Sequence, residues 1–167
     1  MKTRIITALV GIVVLIGVLF TFDTLVFNLV IAAITLLAIH EIYSALGFEK
    51  KDWLLYAVMV PYTLLIMLSS YQVCRRLVMP ASFLLVLFYA IYLVVRNGDI
   101  SYQKASGLVM FSAIVVFCFY SFIRLKELLP VEIYGYDAIF FILLILCFAW
   151  GGDTCAYFAG RAFGKHK

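Results

Sequence analysis

Residues 77–95 read LVMPASFLLVLFYAIYLVV, a stretch of 19 positions without a charged side chain. A continuous apolar run of this length predicts a helix that crosses a membrane, because about 20 residues at about 1.5 Å each span the hydrocarbon core. The run does not alternate between apolar and polar side chains, as a strand of a transmembrane barrel would. It therefore predicts a membrane protein built from helices.

The composition of the whole chain agrees with this interpretation. Of the 167 residues, 66% are hydrophobic and 13% are charged, whereas a soluble domain carries about 45–50% apolar and about 25% charged residues. The net charge is +4, but the basic residues fall between apolar runs and form no stripe, so nucleic-acid binding is not expected. The four cysteines contain no C-x-x-C pair, which indicates neither a zinc site nor a disulfide framework.

Six apolar runs are separated by short segments that carry the charges and the turn-forming residues. We predict an all-α, polytopic bundle of about six transmembrane helices that forms a single domain. The predicted spans are residues 5–22, 24–46, 53–70, 77–95, 105–123 and 138–159.

The distribution of Lys and Arg predicts that both termini are cytoplasmic. With the N-terminus inside, nine of these residues fall in cytoplasmic segments and four fall on the other side. Cytoplasmic loops carry the excess of positive charge in membrane proteins.

Two acidic residues stand inside predicted spans, Glu41 and Asp153. An Asp at the centre of a membrane helix costs about 2.5–3.5 kcal/mol on insertion scales, so such a residue is a candidate functional group. Counted from the outer ends of their spans, the two carboxylates lie roughly 26 and 22 Å deep in a core about 30 Å thick. Both are expected in the cytoplasmic leaflet, where Glu41, beside His40, also fits a residue of the membrane interface.

Residues 150–161 read WGGDTCAYFAGR. On a helix, Asp153, Tyr157 and Arg161 recur every four residues and share one face, which predicts a polar stripe that leads from the membrane to the cytosol. Small residues form a neighbouring face, at the spacing that lets two membrane helices approach closely: Gly152, Ala156, Gly160 and Gly164.

The last residues, 160–167, read GRAFGKHK. They are one residue short of a P-loop, and His166 stands where that loop has Ser or Thr, so we reject a P-loop. Their cations still fit phosphate, of a lipid or of a nucleotide, or a simple anchor at the cytoplasmic face.

The C-terminal residues closely resemble a segment of bacterial phosphatidate cytidylyltransferases, W-G-x-D-[ST]-x-A-Y…G…F-G-K-H-K. The matching residues are WGGDTCAY at 150–157, Gly160, and FGKHK at 163–167. The opening RIITA at 4–8 is similar to the N-terminus of that family, and Glu41 matches an acid common there. The resemblance implies an enzyme of the bacterial inner membrane, active at its cytoplasmic face, that joins CTP to phosphatidate and releases pyrophosphate.

The resemblance also implies roles for single residues. In this reaction the lipid phosphate attacks the α-phosphorus of CTP directly, so the protein must supply charge to neutralise phosphates and need not supply a nucleophile. Asp153 is the expected catalytic and metal-binding residue, and Mg²⁺ is the implied cofactor. The expected substrate-binding residues are Glu41, Thr154, Tyr157, Arg161, Lys165 and Lys167. CTP and phosphatidate are the expected partners, and a homodimer is a further expectation.

The family pattern continues beyond G-K-H-K with S-P-x-K-T-x-E-G and with a later signature that contains H-G-G-x-x-D-R-x-D. Neither is found in residues 1–167. The principal metal-binding aspartates of the family would belong to that signature. We therefore expect these residues to be an N-terminal portion that is inactive alone.

Interpretations from other classes stay open. A small transporter or channel would use Glu41 and Asp153 as a relay, although both acids are expected in one leaflet and no broken helix recurs in two halves. A non-enzymatic scaffold would associate through the small residues of 152–164. Among enzymes, a CTP-using lipid kinase or another lipid cytidylyltransferase fits the same residues.

Membranes that contain only residues 1–167 are expected to form no CDP-diacylglycerol, because the family's main metal-binding signature is not among these residues. The measurement is the incorporation of label from radioactive CTP into lipid in the presence of phosphatidate. Robust incorporation would contradict the expectation that this portion is inactive alone.

Overall fold

The structure is a computed structural model that describes residues 2–96 and 100–164, without the side chains of residues 2–9 and 50. The described residues are helical and contain no strand, which confirms the all-α prediction. A 3-10 turn, Lys50–Asp52, precedes the third helix. The α-helices are α1 Lys2–Phe20, α2 Leu25–Ala45, α3 Trp53–Met67, α4 Gln72–Val95, α5 Tyr102–Leu128, α6 Val131–Tyr134 and α7 Asp137–Phe163.

Four of the described helices are long and apolar enough to cross a membrane, namely α2, α4, α5 and α7. Shorter apolar helices cover Val10–Phe20 and α3. This result confirms the predicted helical membrane bundle. With 15 residues, α3 is about 22 Å long, which is less than the hydrocarbon thickness of about 30 Å.

The predicted third span, 53–70, extends beyond the helix that the structure forms. Helix α3 ends at Met67, and the next residues turn back: the Ser69 N–H bonds to the Ile66 carbonyl at 3.0 Å, and the Tyr71 N–H bonds to the Leu68 carbonyl at 3.0 Å. The apolar run therefore continues for three residues into the turn between α3 and α4.

The chain divides into two compact units, Met1–Glu127 and Leu128–Lys167. The first contains α1 to α5, and the second contains α6 and α7. Both units contain candidate membrane helices, so the single membrane domain predicted from the sequence stays a prediction.

The C-terminus of α2 is capped by a motif that contains a glycine. Gly47 has a φ of 68°, a conformation that favours glycine over residues with a Cβ. Its N–H bonds to the Ser44 carbonyl at 3.0 Å, and the next N–H, of Phe48, bonds to the Tyr43 carbonyl at 3.5 Å. These are the two bonds of a Schellman motif, and the Phe48 ring stacks on Tyr43 at 5.0 Å between centroids, as the motif's hydrophobic contact requires.

Helix α5 runs antiparallel to α2 and is bonded to it at both ends by lysines. Near the start of α5, Lys104 Nζ donates to the Gly47 carbonyl at 3.1 Å. Near its end, Lys126 Nζ donates to the Thr24 carbonyl at 3.1 Å and to Asn28 Oδ1 at 3.4 Å. Long side chains of this kind cover apolar surface while their charges reach the ends of a span.

Helix α3 packs between α2 and α4. The carbonyl of Met67, the last residue of α3, has no partner within its own helix, and Asn28 of α2 donates to it at 2.9 Å. On the other side, the Tyr89 hydroxyl of α4 donates to the Leu55 carbonyl at 2.8 Å. Side chains of the neighbouring helices thus bond to the main chain of α3 near both of its ends.

Replacing Asn28 by Leu should lower the free energy of unfolding by about 1–3 kcal/mol, because the buried Met67 carbonyl loses its donor. The measurement is thermal unfolding of the purified chain in detergent. The matched control is Thr35→Val, which also removes a buried polar group from α2. The Thr35 hydroxyl bonds only within its own helix, to Ile31 at 2.7 Å, so its loss should cost less. Equal losses in the two variants would contradict the assigned role of Asn28.

Candidate functional site

Four of the residues predicted to carry the chemistry lie on α7, which is one continuous helix. Asp153, Tyr157 and Arg161 are four residues apart on it, so they share a face that extends about 12 Å along the axis. Thr154 follows Asp153 on the adjacent face. All four side chains are exposed. The helix therefore provides the register that the predicted stripe requires, while the roles of its residues stay predictions.

The small-residue face of α7 is shorter than the sequence predicted. Gly152, Ala156 and Gly160 lie on the helix. A Cβ added to Gly152 or Gly160 would meet no heavy atom within 4 Å. Gly164, the expected fourth member, follows the last helical residue and is extended, with φ −66° and ψ 127°. It does not continue the helical face, because the helix has already ended.

Glu41 lies in the first unit, close to the C-terminal end of α2, and its side chain is exposed. The neighbouring His40 ring contacts the Tyr56 ring edge-on, with centroids 5.4 Å apart. The Tyr56 hydroxyl in turn donates to the Leu36 carbonyl at 3.2 Å. This part of α2 is thus held against α3, and Glu41 points away from the buried core. Its role as a substrate-binding residue stays a prediction.

Of the three cations expected to bind phosphate near the C-terminal end, only Arg161 lies among the described residues. Arg161 stands in the last turn of α7, where a positive charge interacts favourably with the C-terminal end of the helix dipole. Lys165 and Lys167 lie outside the described residues, so their expected contacts with phosphate stay predictions. The side chains of RIITA, at 4–8, lie outside them as well.

Asp153 fits one mode of magnesium binding. Within residues 2–96 and 100–164, no group of three or more His, Cys, Asp or Glu residues is arranged to hold a metal ion. Mg²⁺ in nucleotide enzymes is commonly held by one or two carboxylates, with substrate phosphates and water as the other ligands. The exposed carboxylate of Asp153 could provide one such ligand for an ion that arrives with a nucleotide.

Sequence reasoning missed one buried carboxylate. Asp52 lies in the charged segment between the second and third predicted spans, but only 3% of its surface is exposed. It stands at the start of α3 and accepts a hydrogen bond from the Tyr92 hydroxyl at 3.4 Å. An Asp directly before an apolar run is a sequence signal for a helix start, and that signal could have indicated its structural position.

A family model described as the cytidylyltransferase family matches residues 2–167. The chain belongs to this family. No curated protein and no solved structure matches the chain significantly. Membership in the cytidylyltransferase family confirms the resemblance drawn from residues 150–167 and assigns a nucleotidyltransferase type of activity to this membrane protein.

Cysteines on α7 allow a test of whether the stripe of this cytidylyltransferase contacts water. A cysteine placed on the stripe by Tyr157→Cys should react with a water-soluble maleimide faster than the native Cys155, which is two residues from Asp153 and therefore faces the other side of the helix. The reason is that the reactive thiolate forms in water and is disfavoured in apolar surroundings. Both positions are exposed in the structure, so protein atoms do not explain a difference. The measurement is the labelling rate in membranes of two variants, each containing one of these two cysteines and no other; equal rates would contradict a stripe that faces water.

Proposed function

We propose that this cytidylyltransferase acts in the transfer of CMP from CTP to phosphatidate, which forms CDP-diacylglycerol and pyrophosphate. The proposal is carried by the family match over residues 2–167 together with the motif at the end of a membrane helix, residues 150–157. Helix α7 is apolar enough to span a bilayer, and an acceptor that reaches a site on such a helix from the membrane is a lipid. The count of Lys and Arg supports CTP entry from the cytosol.

The reaction forms one bond and breaks one bond at the α-phosphorus of CTP. An oxygen of the phosphatidate phosphate attacks, and the bond to pyrophosphate breaks. The attacking oxygen is already anionic at neutral pH, so no side chain has to remove a proton or form a covalent intermediate. The protein's task is to bring two anionic substrates together and to balance their charge.

The polar stripe of α7 has the groups for this task. Mg²⁺, the cation that the resemblance implies, would be held by Asp153 and supplies positive charge to the phosphates when bound. Arg161 lies about two turns further along, and helical side chains lean toward the N-terminus, so its guanidinium can extend back toward Tyr157. A guanidinium binds phosphate through paired N–H groups. Tyr157, between the two charges, offers a hydroxyl and an apolar ring to the same ligand.

Replacing Asp153 by Asn should weaken binding of CTP in the presence of Mg²⁺ by about tenfold or more, since a charge-assisted contact is worth about 1.5–3 kcal/mol. The measurement is equilibrium binding of labelled CTP to residues 1–167 in vesicles that contain phosphatidate. The matched control is Asp137→Asn, the same change at an exposed position in the first turn of the same helix. Unchanged binding in Asp153→Asn, or an equal loss in the control, would contradict the assignment.

The lipid composition of the vesicles tests the acceptor in the same experiment. If phosphatidate is the substrate, adding it to phosphatidylcholine vesicles should change the apparent affinity for CTP, whereas adding diacylglycerol should not, because two ligands of one site are energetically coupled. A CTP-using lipid kinase would respond to diacylglycerol instead. That response would reject phosphatidate as the acceptor while leaving the family assignment intact.

A further inference from the structure

A cavity of about 350 Å³ lies within the first unit, bordered by α3, α4 and α5. Its walls are mainly aliphatic and aromatic side chains. Along α5 it extends from Val109 to Tyr120, which is roughly 16 Å of helix. That length is about half of the hydrocarbon core, or one leaflet of the bilayer. The volume lies within the range of small-ligand sites, about 300–1,000 Å³.

The hydroxyl groups that border the cavity each take part in a hydrogen bond within the protein. The bonds join Tyr62 with Ser82 at 3.0 Å, Ser69 with Tyr120 at 3.3 Å, and the Tyr89 hydroxyl with the Leu55 carbonyl at 2.8 Å. Because these polar atoms are already paired, an occupant mainly meets apolar surface. The cavity therefore fits a hydrocarbon chain better than a polar molecule.

The cavity is open between α4 and α5. Val86 of α4 and Phe117 of α5 both border it, and they are 65% and 74% exposed. Both helices are candidate membrane spans, so their exposed apolar side chains face lipid. An acyl chain can enter the cavity sideways from the bilayer.

Charged side chains stand at one end of the cavity. Arg75 donates from Nε to the carbonyl of Ser69, a lining residue, at 3.1 Å, and from Nη2 to Glu127 at 3.0 Å. Arg124 is bonded to the other carboxylate oxygen of Glu127. Two guanidinium groups thus share one carboxylate, which leaves one net positive charge. The Glu127 side chain is 17% exposed, whereas those of Arg75 and Arg124 are 55% and 43% exposed, so the positive groups are the accessible ones.

We propose that this cavity and the adjoining arginines bind a phospholipid with an anionic headgroup. One acyl chain occupies the cavity, and the headgroup phosphate contacts Arg75 and Arg124, whose guanidinium groups suit phosphate oxygens. Ser69 joins the two parts, since it borders the cavity and its carbonyl orients Arg75. The proposal concerns residues of the first unit that have no role in the nucleotide site, so it does not rest on the proposed function.

Native mass spectrometry of residues 1–167 in detergent tests whether the cavity binds an acyl chain. The probes are phosphatidylglycerol, phosphatidylcholine and glycerol phosphate, which lacks acyl chains. Filling the cavity by Ala113→Phe should lower retention of both lipids by about tenfold, as overpacking of a filled site would. Ala90→Phe is the matched control, because Ala90 is an exposed alanine of α4 that is not among the lining residues. Unchanged retention in Ala113→Phe, or an equal loss in Ala90→Phe, would overturn the assignment of the cavity.

The headgroup part is tested by removing one charge at a time. The unmodified chain should retain phosphatidylglycerol about tenfold better than phosphatidylcholine, and Arg124→Gln should abolish this preference without weakening phosphatidylcholine. Arg76→Gln is the control, since Arg76 is exposed at the same end of α4. An equal effect in this control would refute headgroup recognition, because it would mean that only general surface charge acts.

Equal retention of both lipids by the unmodified chain would also refute headgroup recognition. Competition by glycerol phosphate as strong as that by the lipid would refute a lipid site. Circular dichroism melting curves verify that each variant is folded.

Discussion

Hydrocarbon offers no hydrogen-bond partner, and this constraint accounts for most of the polar contacts in the first unit. Within a helix the main-chain N–H and C=O groups bond to each other. At the end of α3, where the Met67 carbonyl has no such partner, Asn28 donates a hydrogen bond to it. The cavity hydroxyls are bonded in the same way. Thr63 and Ser112 lack a partner among the described residues, and each can rotate toward the carbonyl four residues earlier in its own helix. Charges are placed at the helix ends. Lys104 and Lys126, near the two ends of α5, donate to carbonyls that lie next to the two ends of α2.

The same constraint explains which elements could be predicted from the sequence. The length of a span is set by the bilayer, so apolar runs predicted α2, α4, α5 and α7 with boundary errors of about five residues or fewer. The early end of α3 could not be predicted, because it depends on a turn whose carbonyl is bonded by Asn28, 39 residues away in the chain. The short α6 was not predicted either: it begins after Pro130, and its four residues are too few to show a helical period of apolar side chains.

The candidate site was predictable as far as it depends on one helix. The register of Asp153, Tyr157 and Arg161 follows from helical periodicity, and a motif of neighbouring residues identified the family before any contact was known. By contrast, the burial of Asp52 depends on Tyr92, 40 residues away, and the charged group at the cavity joins Arg75 to Glu127, 52 residues away. Hydropathy does not distinguish a Val that faces lipid from one that borders a cavity, so the sequence gives no sign of the cavity.

Asp52 and Asp153 illustrate why an acid near a membrane has to be judged by its surroundings. Asp52 is buried, but it stands at a helix start beside a hydroxyl donor, so packing of α3 against α4 explains it. Asp153 is exposed on a helix apolar enough to span the bilayer, where facing lipid as an anion would cost about 2.5–3.5 kcal/mol. That cost disappears if the carboxylate faces water and a cation. The proposed binding of a nucleotide with its metal ion would provide such surroundings, and it would account for Asp153 in a way that helix packing alone does not.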